Sequence, residues 1–304
     1  MEVEGNGRCA ACGASALAAH LRVAGDAGPQ GLIPTTDRYG SALSDIVRCE
    51  RCGHMQLERM PSDAELGEAY GEAASEDYVE EEAGQRETAR RALALIERHT
   101  GGPGAIVDLG CWVGFLLAEA RERGWRTLGV EPSGFASAYA RERLGLDVVT
   151  GDLLTATLPE HEWDAVVLGD VIEHLPRPAE ALDRIARLLK PGGVVYMALP
   201  DAGSRVAGLM GARWWSVLPT HVQYFTRDSM AALLRRRGYE PLLVRTAPKA
   251  FSVRYYLDRI GGYSRPLAGA LVGAASAAGV ADSMWAPDFR DRMAVVARSP
   301  SSMS

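Results

Sequence analysis

This 304-residue chain has no excess of positive charge, few aromatic side chains and no long apolar run. A formal net charge of -6 argues against a nucleic-acid partner, because proteins that grip a phosphate backbone usually carry a basic stripe. The compact basic run, Arg235 to Arg237, ends a predicted helix, where cations complement the helix dipole. The most membrane-like stretch, Leu267 to Val280, is too short and too rich in Ala and Gly to span a bilayer. We therefore expect neither nucleic-acid binding nor a membrane span.

A targeting segment is also lacking at the N-terminus, where residues 1–5 are acidic and have no apolar core, so we expect a cytoplasmic protein. The hydrophobic content of 47% is ample for a core. At this length the chain has room for one sizeable domain and one small one.

The most informative stretch is an apolar strand, Ile106 to Leu109, that runs into a glycine-punctuated turn. Asp108 lies near the strand's end, Gly110 and Gly114 can adopt backbone angles that other residues avoid, and Cys111 lies between them as a small packing residue. A helix from Phe115 to Glu122 follows, and its first amides face the turn. The pattern predicts a binding site for a nucleotide-like ligand.

Acidic residues recur where the next predicted strands end, which makes that prediction more specific. Glu131 follows the second strand, where a carboxylate can accept hydrogen bonds from ribose hydroxyls, and Asp152 with Leu153 follows the third. Gly169 and Asp170 end the fourth strand, and Leu188 to Gly193 closes a helix before a fifth strand. Such alternation predicts an α/β, Rossmann-like, seven-stranded doubly wound sheet with its ligands at the strand carboxyl ends. The last strands are predicted at Val194 to Leu199, Pro241 to Thr246 and Asp291 to Ala297.

Four of the five cysteines form two Cys-x-x-Cys-Gly motifs, Cys9 with Cys12 and Cys49 with Cys52. Two such motifs favour one tetrahedral zinc ion with four thiolate ligands, and this ligand set leaves no position open for substrate or water. Paired disulfides or a redox pair are the alternatives, and the absence of a secretory signal argues against them. The zinc is expected to be structural.

The series of strand-end motifs resembles the class I S-adenosylmethionine-dependent methyltransferases from about Ala92 to Ser299. An NAD enzyme is the competitor, but it would carry a G-x-G-x-x-G run instead of Asp-x-Gly-x-x-x-Gly. Trp112 departs from the family, which usually has a small residue there, so the indole must either pack on a neighbouring helix or reshape the pocket. The resemblance implies S-adenosylmethionine as cofactor, bound by Asp108, Gly110, Cys111, Gly114, Glu131, Asp152, Leu153, Gly169 and Asp170.

We predict three parts in the chain. Residues 1–60 form a small zinc-ribbon-like domain, residues 61–100 a helical connector and residues 101–304 the methyltransferase domain, with an insertion at 250–287 that caps an apolar substrate or forms a homodimer contact. In the connector, Tyr78 and Arg86 stand where such enzymes often close over the methionine end of the cofactor.

Methyl transfer is an in-line displacement, so the protein must align the nucleophile and accept its proton. Candidate catalytic residues therefore lie near the ends of the fourth and fifth strands. His174, with Glu173 beside it, follows Asp170, and His221 lies on an unusually aromatic segment, Arg213 to Thr226. For each histidine, local packing or capping is the alternative role.

The run from Asp170 to His174 resembles that of ubiquinone-biosynthesis O-methyltransferases, in which it can hold a divalent cation beside a catechol. Because related metal-free enzymes share the Glu-His pair, magnesium (Mg²⁺) is an option that the resemblance offers, not the expectation. The whole organisation looks like zinc-ribbon methyltransferases of sugar and natural-product tailoring.

We expect O-methylation of a small-molecule hydroxyl, on a sugar or secondary metabolite. C-methylation of a nucleotide deoxysugar, RNA methylation with the zinc module gripping RNA, and a non-catalytic S-adenosylmethionine-binding partner protein are the alternatives. The acidic charge balance conflicts with the RNA alternative, and Trp112 alone favours the non-catalytic one.

Overall fold

A computed structural model of the protein describes residues 7–23, 39–62, 65 and 77–300, with the backbone alone at positions 77 and 78. The predicted helical segment from Pro61 to Tyr70 lies largely outside the described residues.

A seven-stranded sheet is the centre of the fold, and its order is β10-β13-β8-β7-β4-β5-β6. The five strands from β8 to β6 run parallel, while β13 is antiparallel to both of its neighbours. This arrangement confirms the predicted Rossmann-like class. The strands are β4 (Ala105–Leu109), β5 (Arg126–Glu131), β6 (Val148–Thr150), β7 (Trp163–Gly169), β8 (Leu189–Pro200), β10 (Glu240–Thr246) and β13 (Arg292–Arg298).

Helices cover both faces of this sheet because alternate side chains of its buried strands point to opposite sides. Ile106 and Val167 pack under one group of helices with Leu93, whereas Val107 and Val166 pack under the other. The helices are α1 (Asp77–Glu80), α2 (Glu82–Thr100), α3 (Phe115–Glu122), α4 (Gly134–Leu144), α5 (Pro178–Leu188), α6 (Arg205–Met210), α7 (Arg227–Arg236), α8 (Val253–Arg259) and α9 (Arg265–Ala277), with 3-10 turns at Ile172–His174, Gly211–Arg213 and Ile260–Gly262.

Strand β8 begins earlier than predicted. The sequence pattern placed its start at Val194, after a turn, but the strand begins at Leu189. Leu189 pairs with Trp163 and Val194 pairs with Ala165, so the residues between them form an irregularity within the strand. Gly192, with φ of 81°, takes the positive angle that lets the chain bulge there and then resume its register.

Helix α7 begins directly after a side-chain cap at Thr226. The Thr226 side chain accepts a hydrogen bond from the Ser229 amide, and the Ser229 hydroxyl accepts one from the Thr226 amide, which completes a capping box.

A second sheet joins the N-terminal part of the chain to the part that contains the seven-stranded sheet. Its order is β1-β2-β3-β9, and all its neighbours are antiparallel. Three strands come from the first 60 residues, but β9 comes from the aromatic segment, so the sheet extends beyond the predicted 1–60 domain, whose boundary stays a prediction. The strands are β1 (Leu17–Leu21), β2 (Ile46–Cys49), β3 (Met55–Leu57) and β9 (Gln223–Tyr224).

The predicted insertion at 250–287 folds as two helices, α8 and α9, between the short paired strands β11 (Phe251–Ser252) and β12 (Met284–Trp285). It packs on the beginning of α2, where Ser252 donates hydrogen bonds to Glu81 and the Ala250 amide donates to Thr88 Oγ1. A Cβ on Gly84 would lie 2.3 Å from the Ala250 carbonyl oxygen, so this contact requires glycine. The predicted homodimer contact stays a prediction.

Among the described residues, no helix is both long and apolar enough to cross a membrane. The cytoplasmic location stays a prediction.

Candidate functional site

The glycine turn after β4 has the tight geometry that the sequence predicts. Gly110 and Gly114 both have φ of +86°, and the amides of Gly110 and Cys111 donate hydrogen bonds to the Val130 carbonyl at 2.8 and 3.1 Å. A Cβ at either glycine would lie 2.6 Å from a neighbouring side-chain carbon. Glycine suits both the angle and the close packing on Val171 and Leu146, and both glycines also line the cavity described below.

Two carboxylates, Asp108 and Glu131, are buried beside the turn. Glu131 accepts hydrogen bonds from the amides of Trp112 at 2.8 Å and Ser133 at 2.9 Å. Burial, together with the nearby charge of Glu131, raises the pKa of Asp108 to about 8, and burial also raises the pKa of Glu131. Two acidic residues therefore lie at the strand ends, and a cationic ligand would stabilise their ionised forms.

Trp112 fits into this turn with a positive φ of 49°. Its side chain is half-buried and packs with an apolar cluster between the starts of α3 and α4, which includes Phe115, Phe135 and Tyr139. It also lines the cavity above the sheet. The indole is thus part of the pocket wall while it packs on a neighbouring helix, so the two roles expected for it are compatible.

A cavity of about 540 Å³ opens beside the turn, between the sheet, α2 and the insertion. Glu131, Asp152 and Leu153 do not line it: Asp152 is exposed beyond β6, and one of its oxygens accepts a hydrogen bond from the Leu154 amide at 2.7 Å. The predicted cofactor residues that line the cavity are Asp108, Gly110, Cys111, Gly114, Gly169 and Asp170.

The two connector residues differ in what the structure shows of them. Tyr78 belongs to α1, and its side chain lies outside the described part of the chain. Arg86 forms ion pairs with Glu82 at 2.6 Å and Glu119 at 3.1 Å and does not line the cavity.

Asp170 forms ion pairs with two cations that the sequence analysis missed, Lys249 and Arg292. Although burial acts to raise the pKa of Asp170, these two cations hold it well below its usual range. Both cations line the cavity and come from distant parts of the chain, without a motif to mark them. Only the pairing of β13 with β8 brings Arg292 to this edge.

The three predicted catalytic residues, Glu173, His174 and His221, converge behind this ion triad, each with a ligand atom within 4.8 Å of the others. His174 Nδ1 lies 2.8 Å from the Thr220 carbonyl oxygen, and His221 Nδ1 lies 2.8 Å from that of Ser216. Because a carbonyl only accepts, each Nδ1 carries the proton and each Nε2 keeps a lone pair.

Burial lowers the pKa of both imidazoles, and His174 adds to the effect on His221, whose pKa falls to about 3. Burial and the charge of Asp170 raise the pKa of Glu173 to about 8. Neither Glu173 carboxyl oxygen has a hydrogen-bond partner among the described residues. At neutral pH the cluster therefore contains two neutral imidazoles and a carboxyl group that is largely protonated.

The same three residues could hold a metal ion. Asp170 is not one of them, because Lys249 and Arg292 take its oxygens. The acid-x-x-Glu-His run therefore does not converge as a single set of oxygen ligands. Two imidazoles suit a transition metal better than magnesium, which prefers oxygen.

The four cysteines of the two N-terminal motifs lie together, with their sulfurs within 4.8 Å of one another. Two pairs, Cys9 with Cys52 and Cys12 with Cys49, have sulfurs 3.6 Å apart. That separation excludes a disulfide and is close to the roughly 3.8 Å between corners of a tetrahedron with 2.3 Å zinc–sulfur bonds. The donor set thus fits zinc.

We predict that Cys52→Ser lowers bound zinc well below one ion per chain and lowers the melting temperature, because a structural zinc site contributes directly to folding. Zinc is measured by elemental analysis and melting by circular dichroism. Cys111→Ser, which removes the fifth thiol, is the control and is expected to keep its zinc. Equal zinc content in Cys52→Ser and the wild type would contradict a four-cysteine site.

The order of the large sheet, the glycine turn after β4 and the acids that follow β5 and β6 together define a class I methyltransferase fold. Residues 81–244, more than half of the chain, match the family model described as a methyltransferase domain. The chain belongs to this family.

Curated relatives include the ubiquinone biosynthesis O-methyltransferases of Stutzerimonas stutzeri and Burkholderia pseudomallei. The first is 31% identical over 100 residues, which are 31% of this chain and 43% of that protein. The second is 26% identical over 180 residues, which are 51% of this chain and 77% of that protein. The chain spans less than half the length of the first of these relatives.

A solved structure with a similar fold is the complex between the Haloferax volcanii Trm112 methyltransferase activator and a methyltransferase. It is 19% identical, with a TM-score of 0.53, and the match covers 73% of this chain and 92% of that one. At this identity the similarity shows the fold alone.

Proposed function

We propose that this protein transfers a methyl group from S-adenosylmethionine to a hydroxyl group of a small molecule. Family membership and the curated O-methyltransferase relatives support the reaction class. The observation that supports the proposal is the histidine cluster just beyond β7, where each imidazole donates from Nδ1 to a backbone carbonyl, so that Nε2 is the basic nitrogen of each ring. Glu173, His174 and His221 do not themselves line the cavity, but Asp170, four residues before His174 in the chain, does.

In this proposal the residues of the glycine turn hold the cofactor, which supplies an activated methyl group on a sulfonium. Gly110 and Gly114 let the backbone approach it, and Glu131 offers a carboxylate to its ribose hydroxyls. Asp108 lies where its negative charge would favour the cationic end. Asp152, Leu153 and Tyr78 stay predicted contacts.

We assign to His174 the role of accepting the proton of the acceptor hydroxyl. It is half-buried, whereas His221 and Glu173 are buried. The His174 and His221 rings pack edge to face with their centroids 4.7 Å apart, so His221 helps to fix the orientation of His174. His174 is neutral at neutral pH and can take a proton from a hydroxyl as that oxygen attacks the methyl group.

We infer that the four cysteines hold one structural zinc ion. The four sulfurs lie within 4.8 Å of one another, which supports this assignment, and four thiolates would leave no open coordination position for catalysis.

The acceptor is proposed to occupy the cavity between α2 and the insertion. Its wall combines apolar and aromatic groups such as Tyr196 and Phe251 with the paired charges of Lys249 and Arg292. Such a lining suits a sugar or secondary metabolite with both apolar and polar faces.

We expect Glu131→Ala to weaken S-adenosylmethionine binding by roughly tenfold or more, because hydrogen bonds to a charged group are worth about 1.5–3 kcal/mol. Calorimetric titration measures the change. Glu142→Ala, which removes an exposed carboxylate from α4, is the matched control. Equal affinity in the two variants would show that the ligand does not contact Glu131.

The affinity for S-adenosylmethionine should rise with pH up to about 8. In the free protein Asp108 is largely protonated below that pH. A cationic ligand lowers its pKa, so binding releases a proton and is favoured as pH increases. We expect calorimetry in buffers of different ionisation enthalpy to detect this proton and Asp108→Asn to abolish the pH dependence. A flat wild-type profile would place Asp108 away from the ligand's charge.

For His174→Gln we expect a loss of kcat of about a hundredfold or more, the usual contribution of a general base, with unchanged affinity for S-adenosylmethionine. The measurement is turnover on an acceptor found by screening hydroxylated small molecules. His99→Gln, at the end of α2, is the control. Full activity in His174→Gln would remove this residue from the proton transfer.

A further inference from the structure

Two glutamines lie opposite each other where the N-terminal sheet meets the methyltransferase part. Gln56 of β3 and Gln223 of β9 are direct partners in the antiparallel ladder, so their side chains share one side of the sheet. Both are buried, with exposed fractions of 3% and 1%. A buried amide is costly unless its donors and acceptor are satisfied, so the partners of each side chain are well defined.

Gln56 reaches into the first cysteine motif. Its Oε1 accepts a hydrogen bond from the Ala10 amide at 2.8 Å, and its Nε2 donates to the Arg8 carbonyl at 3.2 Å. These groups flank Cys9. The position of β3 is therefore tied to the conformation of this motif.

Gln223 reaches in the opposite direction, toward the histidine cluster. Its Nε2 donates to the carbonyls of Leu175 and Pro176, each at 3.2 Å, directly after His174. Its Oε1 lies 2.8 Å from Nε2 of His54, whose own carbonyl accepts from the Cys49 amide at 2.7 Å. The second cysteine motif is thus connected to the same side chain.

Backbone bonds run parallel to these side-chain bonds. The Leu57 amide donates to the Val222 carbonyl at 3.1 Å, and the Val222 amide donates to the Glu173 carbonyl at 2.9 Å. Thr220, on the same segment, accepts from His174 Nδ1. The residues around His221 therefore lie between the cysteine-bearing sheet and the loop that carries Glu173 and His174.

We propose that Gln56, Gln223 and His54 are positioning residues that couple the four-cysteine metal site to the histidine cluster, so that an intact metal site fixes the positions of His174 and His221. This inference rests on the proposed function for the role of the histidines and for the identity of the metal. The coupling itself depends only on the hydrogen bonds described.

Gln223→Met tests the coupling, because methionine has a similar volume but cannot replace the three hydrogen bonds of the amide. Arg236→Met is the matched control: Arg236 of α7 also contacts the first cysteine motif, donating to the Ala11 carbonyl at 3.5 Å, but its bond leads away from the histidine loop. Both proteins are labelled with 15N-histidine, and the imidazole resonances of His174 and His221 are recorded without acceptor. Zinc content is measured in the same samples.

We expect Gln223→Met to move the resonances of His174 and His221 and Arg236→Met to leave them in place, with about one zinc per chain in both. When a chelator withdraws zinc from the wild type, the same resonances should move. Linkage is reciprocal, so the chelator concentration that removes half of the zinc should be lower for Gln223→Met than for Arg236→Met. Unchanged resonances in Gln223→Met, or in the zinc-free wild type, would overturn the coupling.

If Gln223→Met does not fold, Gln56→Met tests the same connection from the metal side and is expected to move the same two resonances. These measurements need no methyl acceptor. If the resonances shift but no acceptor is methylated, the proposed function is refuted and the coupling is established. If an acceptor is methylated but the resonances do not move, the coupling is refuted and the proposed function stands.

Discussion

The antiparallel pairing of β3 with β9 is the contact on which the candidate site depends. It fixes the segment around His221 against the N-terminal sheet, while the bond from the Val222 amide to Glu173 fixes that segment against the loop after β7. His174 and His221 belong to segments that are far apart in the chain, and β9 holds the second segment against the N-terminal sheet. In the proposed function, this two-residue strand would help to align the two histidines.

Charge is buried around this site in two different ways. Asp170 is compensated by two cations, and the carboxyl group gains enough from them to stay ionised despite its burial. Among the described residues no cation pairs with Asp108, and Glu131 adds to its cost of ionisation. Burying a charge is expensive unless it is paired, so Asp108 is largely protonated at neutral pH, and a cationic ligand beside it would favour its ionised form. The ion pairs of Asp170 form part of the cavity wall, whereas Asp108 is suited to binding a cationic ligand.

Local sequence signals were enough to predict the glycine turn after β4, the strand-end acids and the cysteine motifs, because each is set by residues within a few positions. Gly110 and Gly114, for example, both have the positive φ that the pattern predicts. The sequence did not predict the roles of Lys249, Arg292 and Gln223, because the partners of these residues lie far away in sequence. Gln223 and His54, for example, are 169 residues apart. Such contacts depend on strand order and register, and no local pattern specifies them. The early start of β8 was missed for a related reason, since the pairing of Leu189 with Trp163 of β7 depends on the register of the sheet.

The order in which the chain is made gives β9 a further consequence. During synthesis at about 5–20 residues per second, β3 would wait roughly ten to thirty seconds before its partner emerges from the ribosome. Throughout that interval its outer edge is an unpaired strand next to buried apolar residues, the kind of surface on which chains associate wrongly. The edge of β3 is covered once Val222, Tyr224 and Phe225 have been synthesised. A chain truncated shortly before these residues would therefore leave the N-terminal sheet most exposed to aggregation.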